Sequence, residues 1–246
     1  ELLLELFARA PLRPTEREWR FDGCELPVRW QLEAAGSARV ELLWPVARAH
    51  FRRRAPSRPP TRSMASFAAL VRRPLVDPGR LARAAGQRFV DFAAAALAVR
   101  QSEIRPLSYG NAEDVTLVPC GTGLVVALIG AVPGYREALE SLYTVLLLQN
   151  GVPIAYGPAS VSAGCCELGL NLFDEFRGVE TRHLYAQYLR VVHHVLGAHY
   201  FFLTPYGMGA GNPEALRAGS FWFYRRLGFR PTSARVETLA RAEEQR

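Results

Sequence analysis

The chain contains no lysine; all 30 of its basic residues are arginine. That absence excludes a Schiff-base lysine and the lysine of a phosphate-binding P-loop. Cysteine is scarce as well. Cys24, Cys120, Cys165 and Cys166 form no CxxC pair and no zinc-spaced set with histidine. His193, His194 and His199 offer no i, i+4 pair, so no metal site is expected. No GxSxG is present to mark a serine hydrolase. No apolar run reaches the roughly 18 residues needed to cross a bilayer, so no membrane association is expected. The opening ELLLELFARA carries acids where a secretory signal has a basic region, so no signal peptide is expected. With so few cysteines, the expectation is a reduced, cytoplasmic protein.

What is present suits a folded globular chain. Its 246 residues are 49% hydrophobic and 22% charged, enough for one large or two modest domains. The net charge of +7 admits phosphate-bearing partners, nucleic acid among them, but a solvated arginine surface is the simpler account. Residues 1–50 read as a mixed α/β extension, with a helix at Leu2–Ala8 and strands at Glu25–Leu32 and Arg39–Leu43. Trp19, Trp30 and Trp44 need cover, which argues for folded material there. Residues 51–63, FRRRAPSRPPTRS, read as a linker. Its arginine triplet lacks the interleaved aromatics of a nucleic-acid site. Residues 64–103 read as helical, in pieces Met64–Val71 and Arg80–Arg100.

Residues 104–246 read as an α/β (α+β) unit, a mixed sheet flanked by helices. Val115–Pro119 and Leu124–Ile129 are strands around a turn at residues 120–123. A short helix is expected at Tyr135–Leu142. Tyr143–Gln149 and Val152–Tyr156 flank Asn150-Gly151, a strong hairpin signal. Leu168, Leu170 and Leu172 alternate in a strand over residues 165–173, where Cys165 and Cys166 point to opposite faces. From Glu180 to Leu196 the apolar positions Leu184, Tyr188, Val191, Val192 and Val195 recur at helical spacing, and Gly197 is a natural stop. Tyr200–Thr204 is a strand. Asn212-Pro213 is a cap with a proline at the first helical position. Gly219-Ser220 divides the following helix, Gly228 ends it, and Phe229 begins a final strand.

Strand, Arg177-Gly178 turn, helix, strand, Asn212, then FWFYRRLGF at Phe221–Phe229: this order resembles the GNAT superfamily of acyl-CoA N-acyltransferases over about residues 142–235. The resemblance implies the GNAT fold and transfer of an acyl group from a thioester donor, acyl-CoA or carrier-bound, to the amine of a small molecule or protein. In that family the turn reads Arg/Gln-x-x-Gly-x-Gly/Ala, and its backbone amides hold the pyrophosphate of coenzyme A at a helix N-terminus. Carried over, Arg177 and Gly178 bind the cofactor phosphate and Tyr224 protonates the leaving thiolate. Asn212 lies near the pantetheine arm, or simply caps its helix. Glu167 is the candidate base. Asn171 is a candidate substrate ligand or the end of a ladder. Tyr206 stands in a glycine-rich loop that walls the substrate pocket. Glu180 and Arg182 occupy the two glycine positions of the family turn, and Arg182 is a candidate replacement phosphate ligand. The same two residues support an alternative: a GNAT-fold binding or scaffold module that has lost acyl-CoA affinity.

Overall fold

The computed structural model describes residues 43–50, 63–100, 102, 105–136, 139–176 and 180–245, with isolated positions 9, 11, 13 and 16. The helix expected at Leu2–Ala8, the strand at Glu25–Leu32, Arg39–Leu43 up to residue 42, and the arginine-rich stretch up to residue 62 lie outside the described residues.

The first helix, α1 (Met64–Arg72), is opened by a reciprocal cap. The Ser63 hydroxyl accepts from the Ser66 N–H at 3.0 Å, and Ser66 returns a bond to the Ser63 N–H at 3.1 Å. There follow β1 (Gly79–Arg80), α2 (Arg83–Ala98), α3 (Arg105–Ser108), β2 (Gly110–Gly121), β3 (Leu124–Ala131), β4 (Ser141–Gln149) and β5 (Val152–Ser162). The chain continues through β6 (Cys165–Leu168), β7 (Asn171–Leu172), α4 (Thr181–Leu196), β8 (Tyr200–Phe202), α5 (Pro213–Arg217), α6 (Ser220–Arg226) and α7 (Ala234–Glu244).

The eight strands form one sheet, in the order β1-β2-β3-β4-β5-β6-β8, with β7 also pairing β5. Every pairing is antiparallel except β6 with β8, which α4 connects as a crossover. Helices cover both faces. Val126, Leu128, Val145 and Leu147 pack with Phe67 of α1 and Leu184, Tyr188 and Val192 of α4. Their neighbours Ala127, Ile129, Leu146 and Leu148 turn the other way, onto Phe89, Ala93 and Leu97 of α2. Burial on both faces is why the two central strands read as continuous apolar runs.

Arg190 fixes α1 to α4. It is buried, and its guanidinium donates to the carbonyls of Arg73 and Pro74, just past α1, and to Gln187 Oε1. Gly197 ends α4 at φ +69°, the left-handed conformation expected of it. Cys166 is buried and Cys165 partly exposed, on opposite faces as strand alternation requires. Among the described residues no helix is long and apolar enough to cross a membrane.

Four expectations need correction. The long helix begins at Arg83, because Gly79 and Arg80 pair with Leu117 and Thr116 of β2. The helix expected at Tyr135–Leu142 is absent from the described residues there. A 3-10 turn spans Pro133–Tyr135, and Ser141 already pairs with Val161. The strand over residues 165–173 is broken at Gly169-Leu170 into β6 and β7. Phe229 begins no strand. Pro231 lacks a ladder donor, and the Ser233 hydroxyl caps α7 instead.

The break between β6 and β7 rests on two glycines. A Cβ on Gly157 of β5 would lie 2.0 Å from the Gly169 carbonyl oxygen and 2.8 Å from its carbon. Neither atom can retreat as a flexible side chain would. Gly157→Ala is expected to lower stability by about 1–3 kcal/mol, the usual range for overpacking. Gly134→Ala, where a Cβ meets nothing within 4 Å, should be close to neutral. Urea unfolding of the two variants checks this.

Candidate functional site

β6 and β8 run together only from Cys165 to Glu167 and from Tyr200 to Phe202. Beyond that point they part. Pro158 of β5 has no N–H to offer the neighbouring strand, and the Gly169 N–H reaches the Pro158 carbonyl at 3.3 Å as the chain crosses Gly157. Past the break, Leu172 and Asn171 pair with Ala155 and Tyr156 of β5. The chain after β8 enters the turn at residues 205–211. A groove of about 690 Å³ opens between them.

One wall of the groove is the broken strand, Leu168 to Leu172. The other is Leu203, Thr204, Tyr206 and Gly207. Asn212, Glu214 and Ala215 of the α5 region close one end, and Ser220, Phe223 and Tyr224 of α6 form the back. Thr181, in the first turn of α4, also lines it. The groove thus lies at the carboxyl ends of two parallel strands, next to a helix N-terminus. Open α/β sheets commonly place ligands there, and first-turn amides supply donors for anions. Glu180, the N-cap of α4, gives no side-chain cap bond.

Tyr224 is the most buried polar group in the lining, only 7% exposed. Its ring meets Tyr185 at 5.6 Å, Phe229 at 5.7 Å and Phe223 at 5.1 Å, all edge-on. Burial pushes its phenol up to about 12, with a hydrogen bond from the Leu170 backbone pulling the other way. Tyr224 is therefore a neutral donor at physiological pH, held against the broken strand. Cys166 sits in the same apolar core, and burial pushes its thiol up to about 12 as well. Behind Tyr224, the Tyr188 hydroxyl donates to the Pro158 carbonyl, whereas the fully buried Tyr185 hydroxyl has no partner among the described residues.

Four of the residues expected from sequence meet in this groove: Asn171, Tyr206, Asn212 and Tyr224. Asn212 also caps α5, its Oδ1 accepting from the Ala215 N–H at 3.0 Å. Glu167 is not in the lining; strand alternation turns it away from the face of Cys166 and Leu168. Nor is Arg182, which donates to Met64 Sδ at 3.2 Å and lies over the Phe67 ring at 5.7 Å. Arg177 and Gly178 lie outside the described residues. Among the described residues Glu214 is the one carboxylate in the lining, and sequence reasoning passed over it. Its place after Asn212-Pro213 reads as an ordinary acid in a first helical turn. Thr181, Thr204 and Ser220 carried no signal that sets them apart.

Among the described residues no group of three or more His, Cys, Asp or Glu could hold a metal. Comparison with protein-family models, curated protein sequences and solved structures finds no match.

The raised acids make stability depend on pH. Burial moves Cys120 from 9.0 to about 11, and Cys166 and Tyr224 to about 12. The folded chain then holds protons that the unfolded chain has released. Stability from these groups is whole below about pH 9 and falls as pH climbs from there to about 12. Urea midpoints from pH 7 to 11 should decline above pH 9, and less steeply in Tyr224→Phe.

Proposed function

We propose that the chain is an acyltransferase of the GNAT type, moving an acyl group from a thioester donor to an amine. The observation that carries this reading is the groove where β6 and β8 part, with Tyr224 at its back. Past Glu167 the broken strand has no partner on its β8 side among the described residues. Its backbone amides and carbonyls therefore face a cleft, and a donor arm rich in amides pairs with such an edge as a strand does. Leu168, Leu170 and Leu203 offer it apolar cover. The donor's phosphates fall at the first turn of α4, where Thr181 and the helix amides stand.

The chemistry follows from the lining. The amine nitrogen attacks the thioester carbonyl carbon, the carbon–sulfur bond breaks, and the thiolate leaves with the bonding pair. Tyr224 gives its hydroxyl proton to that sulfur. A phenol near 12 is a poor acid toward a thiol in water. Burial keeps it protonated until the thiolate forms, and desolvation of that thiolate in the groove raises its basicity in the same sense. Glu214, which lines the groove where Glu167 does not, is proposed as the carboxylate that takes the amine proton.

A second reading, a scaffold that has lost the donor, draws on Glu180 at the N-cap and on Arg182 turned toward α1. Titration calorimetry separates the two. Acetyl-, octanoyl- and palmitoyl-CoA are expected to give heat with the natural chain. Tyr224→Phe should keep donor binding and lose about a hundredfold or more in kcat. No heat with any donor, but heat once Glu180 and Arg182 are both changed to glycine, would establish the scaffold reading.

A further inference from the structure

A second cleft lies at the open edge of the sheet. β8 is last in the strand order, and among the described residues no strand pairs with its outer side. The Tyr200 N–H donates inward, to the Gly164 carbonyl. Bonding direction alternates along a parallel strand, so the N–H and C=O of Phe201 point outward. Natural edges are commonly guarded by charge, proline or a bulge. This one reads Tyr-Phe-Phe, with Tyr200 73% and Phe202 47% exposed.

Facing β8 runs the segment Gly228–Thr232, and no backbone hydrogen bond joins the two walls. The space between them is about 830 Å³, floored by Phe67 and Val71 of α1 and Leu189 of α4. Among the described residues the charged side chains in its lining are Arg72 and Arg230, accompanied by His193 and His199, and no Asp or Glu lines it. Arg230 spends its guanidinium on the carbonyls of Arg225 and Phe229, and among the described residues neither arginine has a carboxylate in ion-pair range.

We propose that this cleft is a docking site for an extended peptide of an acidic protein partner, which adds to β8 as a further strand. Its backbone meets the outward groups of Phe201, its apolar side chains rest on α1 and α4, and its carboxylates reach Arg72 and Arg230. Each feature selects against another occupant. A lipid chain would bury the Phe201 amide and carbonyl without partners. A second copy pairing edge to edge would bring a rim of the same sign against itself. The net charge of +7 draws acidic chains toward the whole surface.

The test uses the full chain and a short fluorescein-labelled peptide alternating valine with glutamate, read by anisotropy beside its lysine-for-glutamate counterpart. The acidic peptide is expected to bind, more weakly as salt rises, and the basic one not to bind. Arg72→Glu with Arg230→Glu, both on exposed positions, should cost the acidic peptide about tenfold or more in affinity and admit the basic one. Phe201→Pro removes the outward donor and should abolish binding, with folding checked by circular dichroism. Equal affinity for the two peptides would overturn the proposal. So would indifference to the charge reversal, or concentration-dependent dimerisation that Phe201→Pro abolishes while neither peptide binds.

Discussion

The Gly169 carbonyl lies so close to Gly157 that β5 has no room for a Cβ at the crossing, and the shape of the molecule around the site depends on that approach. Up to Glu167 the sixth strand is an ordinary member of the sheet, bonded to β5 on one side and β8 on the other. At Pro158 the ladder loses a donor, and at Gly169 the chain crosses over β5. The strand resumes at Asn171 without its second neighbour. A groove bounded by backbone on one side and by the α6 aromatics on the other is the direct result.

The aromatic cluster behind the groove gives the site its chemical character. Tyr185, Tyr188 and Tyr224 are buried together between α4, α6 and the sheet. Removal from water favours the neutral form of every acid there, so burial raises all three phenols and the Cys166 thiol. A donor that stays protonated is useful to a leaving thiolate, and on the acyltransferase reading proposed here the core's packing and the reaction's proton come from the same residues.

Much of the fold was legible in the sequence where one residue has one physical use. Asn150 and Gly151 both take positive φ, as their hairpin requires. Gly197 stops α4, Asn212 caps α5, and Gly219 at φ +79° divides the C-terminal helices. Elements decided by tertiary pairing were not legible. The helix-forming run before Leu142 gives way to β4, because Ser141 and Leu142 find partners on β5. Tyr224, Asn171, Asn212 and Tyr206 were singled out through their place in the strand and helix order, and they line one groove. Glu214 was missed because nothing local marks an acid that a distant groove brings inward. Glu167 was misplaced because its strand's alternation turns it away from the face of Leu168, a distinction of one residue.

Amide hydrogen exchange with and without coenzyme A tests the central claim most directly, because it reads the backbone of the broken strand itself. The account predicts that the Leu168–Leu172 and Thr181–Leu184 amides exchange more slowly when coenzyme A is present, while β3 and β4 stay as they were. Unchanged exchange in both segments at saturating coenzyme A, or protection confined to other parts of the chain, would contradict it.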